Sequence, residues 1–261
     1  MREILYNFDQ PSNQESPIHD KSQDFLRQSL PKRFYQEVSV LLKENGFSIL
    51  LDGNPVKTPA KRHLCVPTEA LAERVAQEFD IQKKVIDPAK MPITRLVNTV
   101  VDGVVDDMQV IFEDLLRFAA CDMVFYRAQT PKELVQRQCE QWDFLLDWAE
   151  EKIGARFNLA EGLVHIEQPR EAIQAVSTYL RKVESPYVLA ALHSMTTLTG
   201  SALIAFSVAE KKIDVDKAWA IAHLDEDWAM EQWGVDEEVI TRRTYKKAEF
   251  DAASMMIVTC L

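Results

Sequence analysis

Residues 35–68 read YQEVSVLLKENGFSILLDGNPVKTPAKRHLCVPT, and this stretch decides the fold class. Tyr35–Leu42 is rich in alternating and β-branched residues, as a half-buried strand requires. Glu44-Asn45-Gly46 then makes a turn, and Phe47–Leu51 follows as a second strand. Asn-Gly between two apolar runs is a strong hairpin signal, because glycine accepts the positive φ that tight hairpin turns impose. A second turn at Asp52-Gly53 leads to Pro55–Thr58, and His63–Val66 reads as another short strand. The expectation is a meander of about four strands.

Outward from this stretch the period changes from two to that of a helix. Thr68 is placed to cap a helix with Leu71, Val75 and Phe79 on one face. Further helices are predicted from Pro92, over 104–120, and from Thr130-Pro131-Lys132-Glu133, which has the form of a capping box. Gly154 is expected to close that last helix, and Gly162–Glu167 reads as an isolated strand. Ser185-Pro186 starts another helix, and the small residues of Thr196–Ala205 allow close helix packing. Asp214 is read as the cap of one helix running to Gly234, and Asp236 as the cap of the last. Strands first and helices afterwards indicate an α+β protein: an N-terminal β-rich α/β domain followed by an all-helical C-terminal domain. The expected boundaries are a loose polar arm over 1–30, the β-rich domain over 31–90, and the helical domain over 91–261.

Composition narrows the function. The 30 basic and 41 acidic side chains leave a net charge of -11. Nucleic acid is therefore not expected as a partner, because a basic face supplies most of that affinity. A nucleic-acid module centred on Arg242–Lys247 would have to act against this charge. No apolar run reaches the roughly 18 residues a bilayer span needs, so no membrane insertion is expected. Only seven glycines occur, unclustered, and neither G-x-G-x-x-G nor a Walker loop is present. Dinucleotide and P-loop chemistry need backbone amides brought close to a phosphate, and this chain lacks the means. Four scattered cysteines form no C-x-x-C pair, which suits a reducing compartment. The expected setting is the cytoplasm of a prokaryote, or another compartment for a mature form already delivered there. The chain is expected to be monomeric when free and to need no cofactor.

Two segments stand out. In 214–234, taken as one helix, Trp219, Ala222, Glu226, Met230 and Trp233 form one stripe, with Ile221, Leu224 and Trp228 roughly opposite. A helix apolar on two sides is either sandwiched in the protein or offers one side to a partner. Glu226 sits within the first stripe, where an ionised carboxylate costs several kcal/mol unless it is paired. Three explanations stay open: an internal Arg or Lys, a partner-binding carboxylate at the mouth of an apolar groove, or a catalytic acid. His223, Glu226 and Asp227 also have a spacing that presents them to one metal ion, the alternative reading of a metal-assisted hydrolase. In 87–103, DPAKMPITRLVNTVVDG, the polar residues Arg95, Asn98 and Asp102 share a helical face. Such a stripe indicates a structural seam between the β-rich and helical parts.

The same segments carry a family resemblance. Leu51–Pro67, the MPITRLVNTVVD core of Asp87–Asp102, and Ala218–Glu238 (AWAIAHLDEDWAMEQWGVDEE) resemble, in order, three blocks of one family. This is the family of assembly chaperones of the F-type ATP synthase catalytic sector that handle the alpha subunit. The resemblance implies a two-part α+β fold, no catalysis, no cofactor, and binding of the unassembled alpha subunit until beta displaces the chaperone. It also implies a setting in bacterial cytoplasm, or in the mitochondrial matrix for a chain whose presequence has been removed, and an important acidic residue in the C-terminal block, best matched here by Glu226 with Asp225, Asp227 and Glu231 beside it. Trp219, Trp228 and Trp233 are expected to line the apolar groove next to it.

Overall fold

The computed structural model describes residues 30–162 and 164–260. The arm expected over residues 1–30 lies, except for Leu30, outside them. Two compact units are distinguished, one holding residues 30–34 and 82–87 and the other residues 35–81 and 88–260. In the small unit Arg33 donates its backbone N–H to Lys84 (3.0 Å) and Ile86 donates to Pro31 (2.8 Å).

The main unit is α+β. Its sheet begins with the antiparallel pair β1 (Val38–Lys43) and β2 (Gly46–Leu51), in register from Val38↔Leu51 to Lys43↔Gly46. β3 (Asn54–Pro55) and β4 (Cys65–Val66) share the other edge of β2. The Asp52-Gly53 turn has positive φ at both residues, 48° and 77°, which matches the right-handed twist of the strands it joins. The first turn departs from expectation. Register puts Glu44-Asn45 at its tip, and Gly46 is the first residue of β2. Gly46 is still indispensable there: its φ is 123°, and a Cβ would stand 2.4 Å from the Val66 carbonyl oxygen.

α1 (Glu69–Asp80) packs Leu71, Val75 and Phe79 on the sheet beside buried Ile49 and Leu51. Thr68 caps it, accepting from the Leu71 N–H (3.3 Å), and its hydroxyl donates onward to the carbonyl of Thr259 (2.7 Å). One threonine thus starts α1 and holds a carbonyl 191 residues later in the chain. α2 (Pro92–Thr99) starts at the expected proline, with the buried Glu78 carboxylate accepting from the N–H groups of Ile93 (2.9 Å) and Thr94 (2.7 Å). A π-type turn over Val100–Val104 follows, then α3 (Met108–Ala120).

β5 (Tyr126–Arg127) pairs in parallel with β6 (Ala160–Glu161). The strand expected over Gly162–Glu167 is therefore corrected to Ala160–Glu161, with 164–167 outside any strand. Between them runs α4 (Lys132–Trp148), extended by a π-type turn to Ile153 and closed by Gly154 at φ 79°. The capping box at Thr130 does not form: Pro131 holds the cap position without a side-chain bond. α5 (Arg170–Leu180) leads to the paired helices α6 (Pro186–Thr199) and α7 (Ala202–Ala209). α8 (Val215–Ala222), α9 (Leu224–Trp233) and α10 (Glu237–Cys260) complete the chain.

The core lies around α6 and α7. Every residue of α7 from Ala202 to Val208 is buried, and α3, α4, α6, α8 and α10 pack around it. A helix apolar all round belongs inside, but its first N–H groups then need acceptors that water cannot supply. Ser201 accepts from Ile204 N–H (3.1 Å), and the buried Asp122 accepts from Leu203 N–H (2.9 Å) and Val124 N–H (3.2 Å). Burial pushes the Asp122 carboxyl up to about 6 against these donors.

Gly46→Ala is expected to cost on the order of 3 kcal/mol, since both the positive φ and the Val66 carbonyl oppose a side chain. Gly103→Ala, with nothing within 4 Å of the added Cβ, is expected to be near neutral, and thermal unfolding compares the two. Asp122→Ala is expected to cost roughly 2–4 kcal/mol by stripping buried N–H groups of their acceptor. Because its folded-state value is raised, the proton-linked part of the Asp122 contribution is fully present below about pH 4 and lost as pH rises through about 6, while its role as acceptor persists. A carboxyl-carbon NMR titration of Asp122 with a midpoint near the ordinary carboxylate value would overturn this.

Candidate functional site

The expected single helix over 214–234 is two helices, and the reason lies in His223. In a continuous helix its N–H would bond to the Trp219 carbonyl four residues back. Instead the imidazole Nδ1 donates to that oxygen (2.9 Å), and the N–H turns to Ala220 (3.2 Å). A side chain that captures a backbone acceptor competes with the helix at that point. The ring is buried, lies tilted by 39° against Trp219 at 4.0 Å between centroids, and is held below its usual pKa chiefly by desolvation.

The break scatters the stripe. Trp219 is only 8% exposed and packs on Phe250, so it is a core residue rather than a wall of a groove. Trp228 is half-buried, with the Arg137 guanidinium 5.3 Å from its ring centre. Trp233, at the end of α9, is 90% exposed. The three tryptophans therefore do not share one surface. Val235 and Ile240, exposed and close to Trp233 in sequence at the α9–α10 junction, do not stand out in the sequence. Isolated valine and isoleucine near an acidic run carry no periodic signal.

The four acidic residues divide sharply. Asp225 accepts from the Gln138 side chain (2.8 Å), whose oxygen accepts in turn from Ala128 N–H (2.8 Å). Asp227 pairs with Arg243 of α10, and Glu231 with Arg137 of α4 at 2.9 Å. Trp142, buried in α4, donates its indole N–H to the Ile221 carbonyl (2.8 Å) at the end of α8. Arg137, Gln138, Trp142 and Arg243 lie too far away in sequence to be read as neighbours of this segment. Glu226 is exposed and has no hydrogen-bond or ion-pair partner among the described residues. It therefore carries no burial cost, contrary to its expected place within an apolar stripe. From Leu224 to Glu238 the chain holds Asp225, Glu226, Asp227, Glu231, Asp236, Glu237 and Glu238 with no Lys or Arg.

The metal reading does not survive this geometry. His223 is buried with Nδ1 committed to a carbonyl, Asp227 is committed to Arg243, and Glu226 faces water. Among the described residues no group of three or more His, Cys, Asp or Glu side chains is arranged to hold a metal ion.

The polar face of 87–103 splits in two directions. Arg95 reaches Tyr245 and Glu249 on α10. Asp102 accepts from the Thr58 hydroxyl (2.5 Å) and Ala60 N–H (3.0 Å), which secures the loop between β3 and β4. Arg62 of that loop donates to the Val101 carbonyl (3.0 Å). Asn98 is half-buried and takes no part in this hydrogen bonding.

A sequence model of the ATP12 family, described as ATP12 chaperone protein, matches residues 32–150. The solved structure of the Atu1473 protein from Agrobacterium tumefaciens is 48% identical, with a TM-score of 0.87 over 95% of this chain and 93% of that one. The structure of Atp12 from Paracoccus denitrificans is 32% identical, with a TM-score of 0.83 over 88% of this chain and 99% of that one. The chain belongs to the ATP12 chaperone family. Among curated proteins, the mitochondrial protein atp12 of Schizosaccharomyces pombe is 25% identical over 230 residues, 84% of this chain and 79% of that protein. The ATP12 sequence model ends at residue 150, before the acidic α9 segment, whereas the structural likeness to Atu1473 extends over nearly the whole chain. Among the described residues, no helix is long and apolar enough to cross a membrane.

The reassignment of the tryptophans is open to direct test. Trp219→Ala is expected to destabilise by about 3–5 kcal/mol, as large core truncations do. Trp233→Ala is expected to stay within about 0.5 kcal/mol of the parent in urea unfolding. Equal effects would mean that Trp233 is packed.

Proposed function

We propose that this chain is an assembly chaperone for the catalytic sector of F-type ATP synthase, without catalytic chemistry of its own. It binds the unassembled alpha subunit and shields the surface that alpha will later present to beta. Membership of the ATP12 chaperone family supports the chaperone role. The observation that carries the site is the contrast among the acids of α9. Asp225, Asp227 and Glu231 are committed to Gln138, Arg243 and Arg137, while Glu226 remains available beside an acidic, apolar-tipped junction. A fixed neighbouring frame with one free carboxylate suits recognition of a basic group on a client. Exposed Trp233, Val235 and Ile240 provide apolar area within a charged rim.

No nucleotide is needed for release. Beta competes for the same surface of alpha, and mass action transfers alpha to the tighter complex. The bacterial relatives support a setting in bacterial cytoplasm.

Purified chain immobilised on resin is expected to capture separately expressed alpha subunit, to ignore beta, and to release alpha when beta is added. Glu226→Lys is expected to weaken that capture at least about tenfold, roughly 1.4 kcal/mol. The substitution should change thermal stability by no more than about 1 kcal/mol, because Glu226 makes no hydrogen bond or ion pair among the described residues. Capture of neither subunit, with soluble alpha present, would sink the functional reading. Undiminished capture by the lysine variant would sink the role of Glu226 alone.

A further inference from the structure

A different exposed apolar feature lies far from α9 in the sequence. β1 is an edge strand: β2 pairs with one side of it, and nothing described pairs with the other. The alternation of its backbone groups can be assigned. Glu37 accepts from Asp52 N–H across the pair (3.0 Å), so Glu37 faces β2. In an antiparallel ladder the facing alternates residue by residue, so Ser39, Leu41 and Lys43 also face β2. Val38, Val40 and Leu42 therefore turn their N–H and C=O groups outward.

An open groove of about 410 Å³ runs beside this edge, lined by Val38, Ser39 and Val40 on one side and by Glu73, Ala76 and Asp80 of α1 on the other. Leu41 and Leu42 are 48% and 66% exposed. Edge strands are ordinarily blunted by bulges, prolines, inward charges or a covering element. β1 has no proline, and its register with β2 is unbroken over six residues.

We propose that the outer edge of β1, with the groove between it and α1, is a docking site for an extended peptide segment bearing basic side chains. The occupant adds a strand to the sheet. Its main chain pairs with Val38, Val40 and Leu42, and its alternate side chains lie against α1. The unpaired ladder requires an extended backbone, since a helix has no free main-chain groups to offer. Glu73, exposed and without a partner among the described residues, selects a Lys or Arg at the groove. The site is separate from Glu226 and does not depend on the identity of the alpha subunit as client.

The test uses the full chain and a capped peptide of about eight residues alternating Val and Lys, with a second peptide N-methylated at every other residue. The unmodified peptide is expected to slow amide exchange at Val40 and Leu42 about tenfold at saturation. The N-methylated peptide, which cannot donate to the edge, and a Val/Glu peptide are expected not to. Val40→Pro should abolish the protection and keep the fold, because an outward-facing edge position tolerates the loss of its N–H. Equal binding by the N-methylated peptide, or protection mapping away from β1, would overturn the proposal. Slow exchange at Val40 and Leu42 in the peptide-free protein would also overturn it, because the edge would then be filled by this chain or a second copy.

Discussion

The structure depends on keeping α7 dry. Seven consecutive residues from Ala202 to Val208 are removed from water, and the helix can be buried only if its leading N–H groups are satisfied by protein. Asp122, eighty-one residues earlier in the chain, supplies that acceptor while also bonding to Val124, and Met123 donates to the Gly200 carbonyl at the preceding corner. The segment between α3 and β5 is thereby tied to the α6–α7 corner. Once α6 and α7 are placed, α3, α4, α8 and α10 have an apolar column to pack against. A buried carboxylate is costly, and this one persists because losing it would strand several donors at once.

The periphery follows a different logic. α9 buries only Leu224 and is positioned instead by polar contacts from α4 and α10: Gln138 to Asp225, Arg137 to Glu231, and Arg243 to Asp227. Exposed ion pairs contribute little stability individually, so this helix is held in place more than it is held together. That arrangement suits a recognition element. The core sets where α8 ends, through Trp142 and Ile221, and the surface bonds aim α9, leaving Glu226 and Trp233 toward solvent. A chaperone must show apolar surface without aggregating, and an acidic segment free of Lys and Arg that carries an exposed tryptophan meets both demands through charge repulsion between copies.

The β3–β4 side of the sheet is anchored by long-range hydrogen bonds. Asp102 and Arg62 secure the β3–β4 loop to the π-type turn after α2, and Tyr187 donates to the Cys65 carbonyl (3.0 Å) from α6. The inner edge of the sheet is thus tied to the helices, while among the described residues β1 bonds through its backbone ladder to β2 and packs against α1.

Local chemistry makes much of this fold legible in the sequence itself. The Asp52-Gly53 turn, the caps at Thr68, Ser185 and Asp214, the proline start of α2 and the glycine stop at Gly154 each involve groups within a few residues of one another. Backbone sterics and short-range hydrogen bonds decide such features, and a sequence states them directly. The exchange of an acceptor at His223, the displacement of Glu226 from an apolar stripe into water, the burial of Trp219 and the capping of α7 by Asp122 could be decided only in three dimensions. Each depends on partners brought near by packing, and periodicity along one helix cannot say which of its faces the rest of the chain will cover.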